Sequence, residues 1–110
     1  MDELNKKLAE WWYPEGKLLG HVPATGDILW GIKNRQEWVN FPHSLDACFR
    51  WLVPKLDSLF GIEFRRLLEP KWAVTLSFYT IPPIIEFGNT PALVLCQAIE
   101  KLIDSEVENG

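Results

Sequence analysis

Apolar residues recur at three- and four-residue steps in two stretches of the chain, 44–56 and 90–104. This spacing is typical of helices that bury one face. Each stretch begins with a hydroxyl residue, Ser44 or Thr90, of the kind that caps a helix N-terminus. Both stretches are therefore predicted to be amphipathic helices.

Two breakers modify the first of these helices. Pro54 lies inside it and lacks a backbone donor, so we expect a distortion near Arg50–Trp51. Gly61 is expected to end the helical run. A further helix is predicted over 2–12, because one stripe collects its apolar residues: Leu4, Leu8, Trp11 and Trp12.

The segment between the two strong helices has the two-residue period of β-strands. Strands are predicted at 62–68, 71–79 and 84–87, with a turn at Glu69–Pro70. A small antiparallel sheet needs helices to cover its apolar face. The predicted fold is therefore a single α+β domain over 1–110, resembling an α/β/α sandwich. Its order is helix, loop or short strands, helix, three strands and helix, with a frayed tail at 105–110.

The segment 14–43 is interrupted by glycine and proline throughout, and short strands are predicted only at 18–22 and 28–32. Long irregular connections are uncommon unless they have a use. Four of the six tryptophans fall in or beside this segment, and tryptophan is enriched where proteins bind partners. A binding surface is therefore predicted in this loop, with the candidate residues Trp12, Trp30 and Trp38.

Three motifs carry a family resemblance: K-L-A-E-W at 7–11, S-L-D-A-C-F-R-W-L-V-P-K-L at 44–56 and T-P-A-L-V-L-C-Q-A-I-E-K-L-I-D at 90–104. With these motifs the chain resembles the phage ABA sandwich domain family, small uncharacterised proteins of bacteriophages and environmental sequences. The resemblance covers about a third of the chain. It implies a helix–sheet–helix sandwich and a phage or prophage origin, and it supplies no catalytic residue.

Charge and hydropathy narrow the function classes. The net charge of −4 and the pI near 5.1 disfavour a nucleic-acid binder that works by neutralising phosphates. The one basic group, Arg65, Arg66 and Lys71, is interleaved with acidic residues. No apolar run has the length of a membrane span, and the N-terminal segment is not a signal peptide. We therefore expect a cytoplasmic protein, in the bacterial host cytoplasm if a phage encodes it.

Candidate catalytic groups are few. Cys48 and Cys96 lie in the apolar stripes of the two strong helices, so we expect buried, reduced thiols. Alternatively, neighbouring helices bring the two sulfurs together as a redox-sensitive pair. His21 and His43 are the only imidazole bases, and neither belongs to a metal-ligand or phosphate-loop motif. No cofactor and no metal site are predicted.

The leading hypothesis is a non-catalytic accessory protein that binds a protein partner or a small ligand through the Trp-rich loop. Self-association into a homo-oligomer is compatible with this role. One alternative is a small enzyme that uses His21 or His43 with an acidic partner. Another is an anti-defence protein that sequesters a small nucleotide, in which basic side chains face the phosphate. The candidate binding residues are Trp12, Trp30, Trp38, Arg65 and Lys71, with Arg66 added in the nucleotide version.

Overall fold

A computed structural model describes the backbone of residues 2–68 and 71–109 and the side chains of residues 3–68 and 71–106. The α+β class is confirmed: helices pack with two three-stranded antiparallel sheets. In chain order the elements are α1 (Asp2–Trp12), β1 (Lys17–Val22), β2 (Asp27–Ile32), β3 (Arg35–Val39), a 3-10 turn (Phe41–His43), α2 (Leu45–Ala47) with its extensions, β4 (Leu59–Arg66), β5 (Trp72–Phe78), β6 (Ile84–Gly88) and α3 (Pro91–Asn109).

The predicted irregular loop at 14–43 is mostly a sheet of its own, with strand order β1-β2-β3. The short strands predicted at 18–22 and 28–32 correspond to β1 and β2. The third strand, β3, was not predicted because its sequence, RQEWV, has no apolar alternation. β3 forms because it pairs with β2, whose covered-face residues Ile28, Trp30 and Ile32 are all buried.

The second sheet has the order β4-β5-β6 and matches the three strands predicted after the second helix. Val74 and Leu76 of β5 are fully buried on its covered face, where they pair with Phe64 and Ile62 of β4. Gly61 lies inside β4, so the prediction that it ends the preceding helix is wrong. The helical segment already ends before β4 begins at Leu59. The turn predicted at Glu69–Pro70 lies outside the described residues.

The second helix is irregular in the place that its proline predicts. α2 continues as a π-helical turn, Cys48–Leu52, and then as a 3-10 turn, Val53–Lys55. Pro54 has no backbone N–H to donate to the carbonyl group of Arg50, so the regular α-helical ladder is broken over this turn. Ser44 caps the N-terminus as predicted, because its hydroxyl accepts a hydrogen bond from the backbone N–H of Ala47 at 3.1 Å.

The last helix, α3, is longer than its apolar stripe. It continues to Asn109, so the backbone of 105–109 is helical where a frayed tail was predicted. The chain from Ser105 onwards contains no proline, and no glycine before Gly110, so nothing in its sequence interrupts the helix that Leu102 and Ile103 anchor in the core.

One hydrophobic core joins both sheets and all helices. α3 packs on β5 and β6 and also contacts the 3-10 turn and α1, while α1 packs on β2. At this junction Asn5 of α1 is 1% exposed. Its Nδ2 donates to the carbonyl groups of Gly26 (3.0 Å) and Val39 (2.8 Å), and its Oδ1 accepts from the N–H of Phe41 (3.0 Å). Asn5 thereby fixes α1 to the first sheet.

Candidate functional site

The predicted binding residue Trp30 belongs to the core. Its side chain is 2% exposed, and its indole N–H donates to the carbonyl of Tyr13 at 3.2 Å. A tryptophan that is buried and satisfied in this way contributes to stability rather than to a surface. One edge of the ring lines a surface cleft beside Gly16 and Lys17, but a side chain that is only 2% exposed offers a partner little contact area, so Trp30 is not part of the candidate surface.

Trp12 also has internal partners. Its half-buried ring stands edge-on to Phe41, with centroids 5.9 Å apart, and lies 4.9 Å from the ring of Trp51. The guanidinium groups of Arg35 and Arg50 lie over the Trp51 ring at 5.6 and 5.9 Å. Trp12 is therefore part of a packed aromatic cluster, and two arginines make cation–π contacts with the Trp51 ring of that cluster.

Trp38 is the tryptophan that faces solvent. It pairs with Leu29 across β2 and β3, one position away from the pair of Trp30 and Glu37, so Trp30 and Trp38 lie on opposite faces of the sheet. The Trp38 side chain is 57% exposed. Three further apolar side chains share its outer face: Leu19, Val22 and Leu29. We call these four residues the Trp38 face.

The placement of Leu19 on this face depends on local backbone features. The β1–β2 register shifts at this residue, which produces a bulge in the edge strand. The Leu19 side chain lies over Gly31, where an added Cβ atom would come within 3.0 Å of its Cδ1. Glycine at position 31 therefore leaves room for a leucine that is itself 48% exposed.

A groove of about 270 Å³ adjoins the Trp38 face at one end of the sheet. It shares Leu19 with that face and also contacts Gly31 below this side chain, and its charged lining consists of Glu15, Lys17, Lys33 and Arg35. Lys33 has a positive φ of 29° in the two-residue turn between β2 and β3, a geometry that hairpin turns require. Glu37 also lies 3.8 Å from Arg35 Nε, so three cations stand against two carboxylates, and the groove stays locally positive in a chain of net charge −4.

Arg65 and Lys71 belong to the second sheet, not to the first. Arg65 lies on the outer face of β4 and its Nη2 contacts the Glu63 carboxylate at 3.3 Å. Lys71 directly precedes β5, at the sheet end where Arg66, Trp72 and Gly88 are in register. The five predicted binding residues are thus divided among the core, an aromatic cluster and two different sheets.

The same end of the second sheet also contains the N-terminus of α3. β6 pairs with β5, which places the Gly88–Thr90 segment at the sheet end with the basic residues. A helix N-terminus can hold an anion, so this arrangement would suit the phosphate of the nucleotide hypothesis. However, the Thr90 hydroxyl accepts a hydrogen bond from the N–H of Leu93 at 3.2 Å. This is an ordinary helix cap. Among the described residues at this sheet end, no further feature points to a phosphate.

The two cysteines meet inside the core. Cys48 and Cys96 are both 0% exposed, and their Sγ atoms are 3.5 Å apart. Cys48 Sγ also lies 3.2 Å from the carbonyl oxygen of Phe41. The hydrogen bond to Cys48 and the burial of the thiol raise the pKa of Cys96 far above its ordinary value. A protonated, enclosed thiol is a poor nucleophile.

The two histidines are exposed, His21 on β1 and His43 at the end of the 3-10 turn. Among the side chains of residues 3–68 and 71–106, no group of three His, Cys, Asp or Glu could hold a metal ion. In the same ranges, no helix is long and apolar enough to cross a membrane.

The structure has a second concave site, which was not predicted from the sequence. A pocket of about 280 Å³ lies where the end of α1, the turn before β4, the end of β5 and the last turns of α3 come together. Its lining includes Trp11, Ser58, Phe78, Thr80 and Glu106. These residues come from distant parts of the chain, so no spacing in the sequence indicates the pocket.

No protein-family model, curated protein or solved structure matches the chain. The resemblance to the phage ABA sandwich domain family therefore remains a prediction.

Proposed function

We propose that this chain is a non-catalytic accessory protein that binds a protein partner through the Trp38 face, in a bacteriophage context as the family resemblance implies. The observation that carries the proposal is Trp38 itself: a large aromatic side chain, 57% exposed, in line with apolar neighbours on an uncovered sheet face. Tryptophan is the residue type most often responsible for binding energy when a partner excludes water around it.

The groove beside this face indicates the chemistry of the partner. Lys17, Lys33 and Arg35 line it together with Glu15, and a second carboxylate, that of Glu37, lies 3.8 Å from Arg35 Nε. A partner that presents an apolar contact for Trp38 flanked by carboxylates would match both parts of the surface. The apolar contact would supply most of the affinity, and the charges would set orientation and partner choice.

The buried thiols support binding over nucleophilic catalysis. Burial and their mutual hydrogen bond keep Cys96 protonated, and neither sulfur reaches the surface. The Trp38 face, in contrast, places its apolar side chains where a partner can contact them without any rearrangement of the core.

The experiment begins with a photo-crosslinking amino acid at position 36, an exposed residue that shares the outer face of β3 with Trp38, in the full chain expressed in the bacterial host. The crosslinked protein is identified by mass spectrometry and purified, and its dissociation constant is measured by calorimetry with the unlabelled chain. Trp38→Ala is expected to weaken binding about 30-fold, which corresponds to ~2 kcal/mol.

The matched control is Phe87→Ala, because Phe87 is 59% exposed and lies on the second sheet. This variant should bind with unchanged affinity. Equal losses in the two variants, or no loss in Trp38→Ala, would show that the Trp38 face is not the binding surface.

A further inference from the structure

The pocket at the end of α1 has an apolar side and a polar side. Trp11, Phe78, Ile81 and Leu102 form the apolar side. Phe78 and Leu102 are both 7% exposed, so they are parts of the core that the pocket leaves accessible. A concave site with an apolar wall and a few polar groups is the usual form of a small-ligand site.

The polar side is built around Ser58, a non-glycine residue with a positive φ of 59°. Its hydroxyl lies 2.7 Å from the Thr80 hydroxyl, and its carbonyl accepts a hydrogen bond from the N–H of Tyr79 at 2.9 Å. These contacts hold Ser58 in a backbone conformation that serine rarely adopts. Such strained residues cluster at ligand sites, where the neighbouring structure keeps them in place.

The charges of the pocket favour a cation. Asp57 and Glu106 contribute two carboxylates, and Lys55 contributes the only cation among the lining residues that the structure describes. That cation is already engaged, because Lys55 Nζ donates to the carbonyl groups of Trp11 (2.7 Å) and Trp12 (2.9 Å). Lys55 therefore compensates the negative C-terminal end of α1, and among the side chains of residues 3–68 and 71–106 no other cation lines the pocket beside the two carboxylates.

The C-terminal end of α3 adds negative charge near the pocket. Ser105 and Glu106 lie close to the C-terminus of this helix, where the backbone carbonyl groups carry partial negative charge. The last turn of α3 contains no basic residue. A positively charged group in the pocket would thus meet carboxylates and hydroxyl oxygens together, near the C-terminal end of α3.

We propose that this pocket binds a small organic cation, a primary amine with a short aliphatic body. Its ammonium group would pair with Asp57 and Glu106 and donate to the Ser58 or Thr80 hydroxyl. Its methylene groups would contact the apolar wall at Trp11. The site shares no residue with the Trp38 face, so the two proposals stand independently.

The test uses three probes of equal length, n-pentylamine, n-pentanol and pentanoate, titrated into the ¹⁵N-labelled full chain. Pentylamine is expected to shift the backbone amide signals of 57–58, 80 and 105–106 in a saturable way. Pentanol should bind at least about tenfold more weakly because it lacks the charge, and pentanoate should not bind.

Two variants separate the site from general charge effects. Asp57 and Glu106 are exposed, so Asp57→Asn with Glu106→Gln should leave the fold intact and weaken pentylamine at least about tenfold. Glu63→Gln removes an exposed carboxylate from the second sheet and should leave the affinity unchanged. The proposal fails if pentylamine causes no saturable shifts, if the three probes bind equally, or if the double variant binds pentylamine like the original chain.

Discussion

Replacement of Asn5 tests how the first helix is joined to the first sheet. In Asn5→Ala, the carbonyl groups of Gly26 and Val39 and the N–H of Phe41 lose their side-chain partner. All three bonds are buried, and each buried polar group left unsatisfied costs about 1–3 kcal/mol. We allow for partial relaxation and expect the free energy of unfolding to fall by about 3–4 kcal/mol, a large share of a typical total of about 5–15 kcal/mol.

Urea unfolding followed by tryptophan fluorescence and far-UV circular dichroism measures this change. The control is Asn40→Ala, because Asn40 donates to the Thr25 carbonyl and the Asp27 carboxylate nearer the surface, and its loss should cost less than about 1 kcal/mol. If Asn5→Ala also loses less than about 1 kcal/mol with an unchanged dependence on urea, the reasoning about orphaned buried groups is refuted.

Asn5→Asp adds a pH dependence with a definite sign. An ionised carboxylate would face two carbonyl oxygens in place of the amide that donates to them, so the folded state should raise the pKa of the new carboxyl above its unfolded value of about 3.9. The folded variant then binds more protons than the unfolded one, and its stability relative to the original chain falls as pH rises through that interval. A pH-independent difference between the two would contradict this account.

The remaining predictions separate residues that look alike in the sequence. Trp30→Ala should destabilise the fold by about 3–5 kcal/mol, whereas Trp38→Ala should change the unfolding free energy by less than about 1 kcal/mol in the same urea titration. Gly88→Ala should lower the melting temperature because its Cβ would lie 2.6 Å from Val94 Cγ1, while Gly20→Ala, with its nearest contact at 3.8 Å, should not; equal melting temperatures would contradict the packing. The two buried thiols should react with an aromatic disulfide reagent only after denaturant is added, and rapid reaction of the native protein would show that the core opens.

Trp30 is buried and Trp38 is exposed. Predicting this difference from the sequence requires the length of the turn between β2 and β3. β2 and β3 are joined by the two residues Lys33 and Asn34, and this length fixes the pairing of Leu29 with Trp38. In that register two even-numbered residues on successive strands lie on opposite faces. The length of this turn can be derived from the sequence only if β3 is recognised as a strand. The polar composition of β3 gives no strand signal. Because β3 was not predicted, a core tryptophan, Trp30, and a surface tryptophan, Trp38, were assigned to the same predicted site.

The second sheet and α3 were predictable because they carry the period of their structure within a single segment. β5 alternates along its length, and α3 begins with a hydroxyl cap followed by proline. The pocket at the end of α1 has no such local signature. Trp11, Ser58, Thr80 and Glu106 become neighbours only through the packing of α1, α3 and the second sheet, so a single sequence without tertiary contacts carries no trace of them.

The net charge of the chain is also a poor guide to the charge that a partner will tolerate, because binding depends mainly on the charges close to the contact. At physiological ionic strength the Debye length is about 8 Å, so a partner docked on the first sheet senses the local groove more strongly than the distant carboxylates. The net charge of −4 disfavours anionic partners for the chain as a whole, yet Lys17, Lys33 and Arg35 make one groove positive. An acidic partner would thus gain little from long-range attraction and much from close contact. We therefore expect the Trp38 face to discriminate through the lifetime of the complex rather than through its rate of formation.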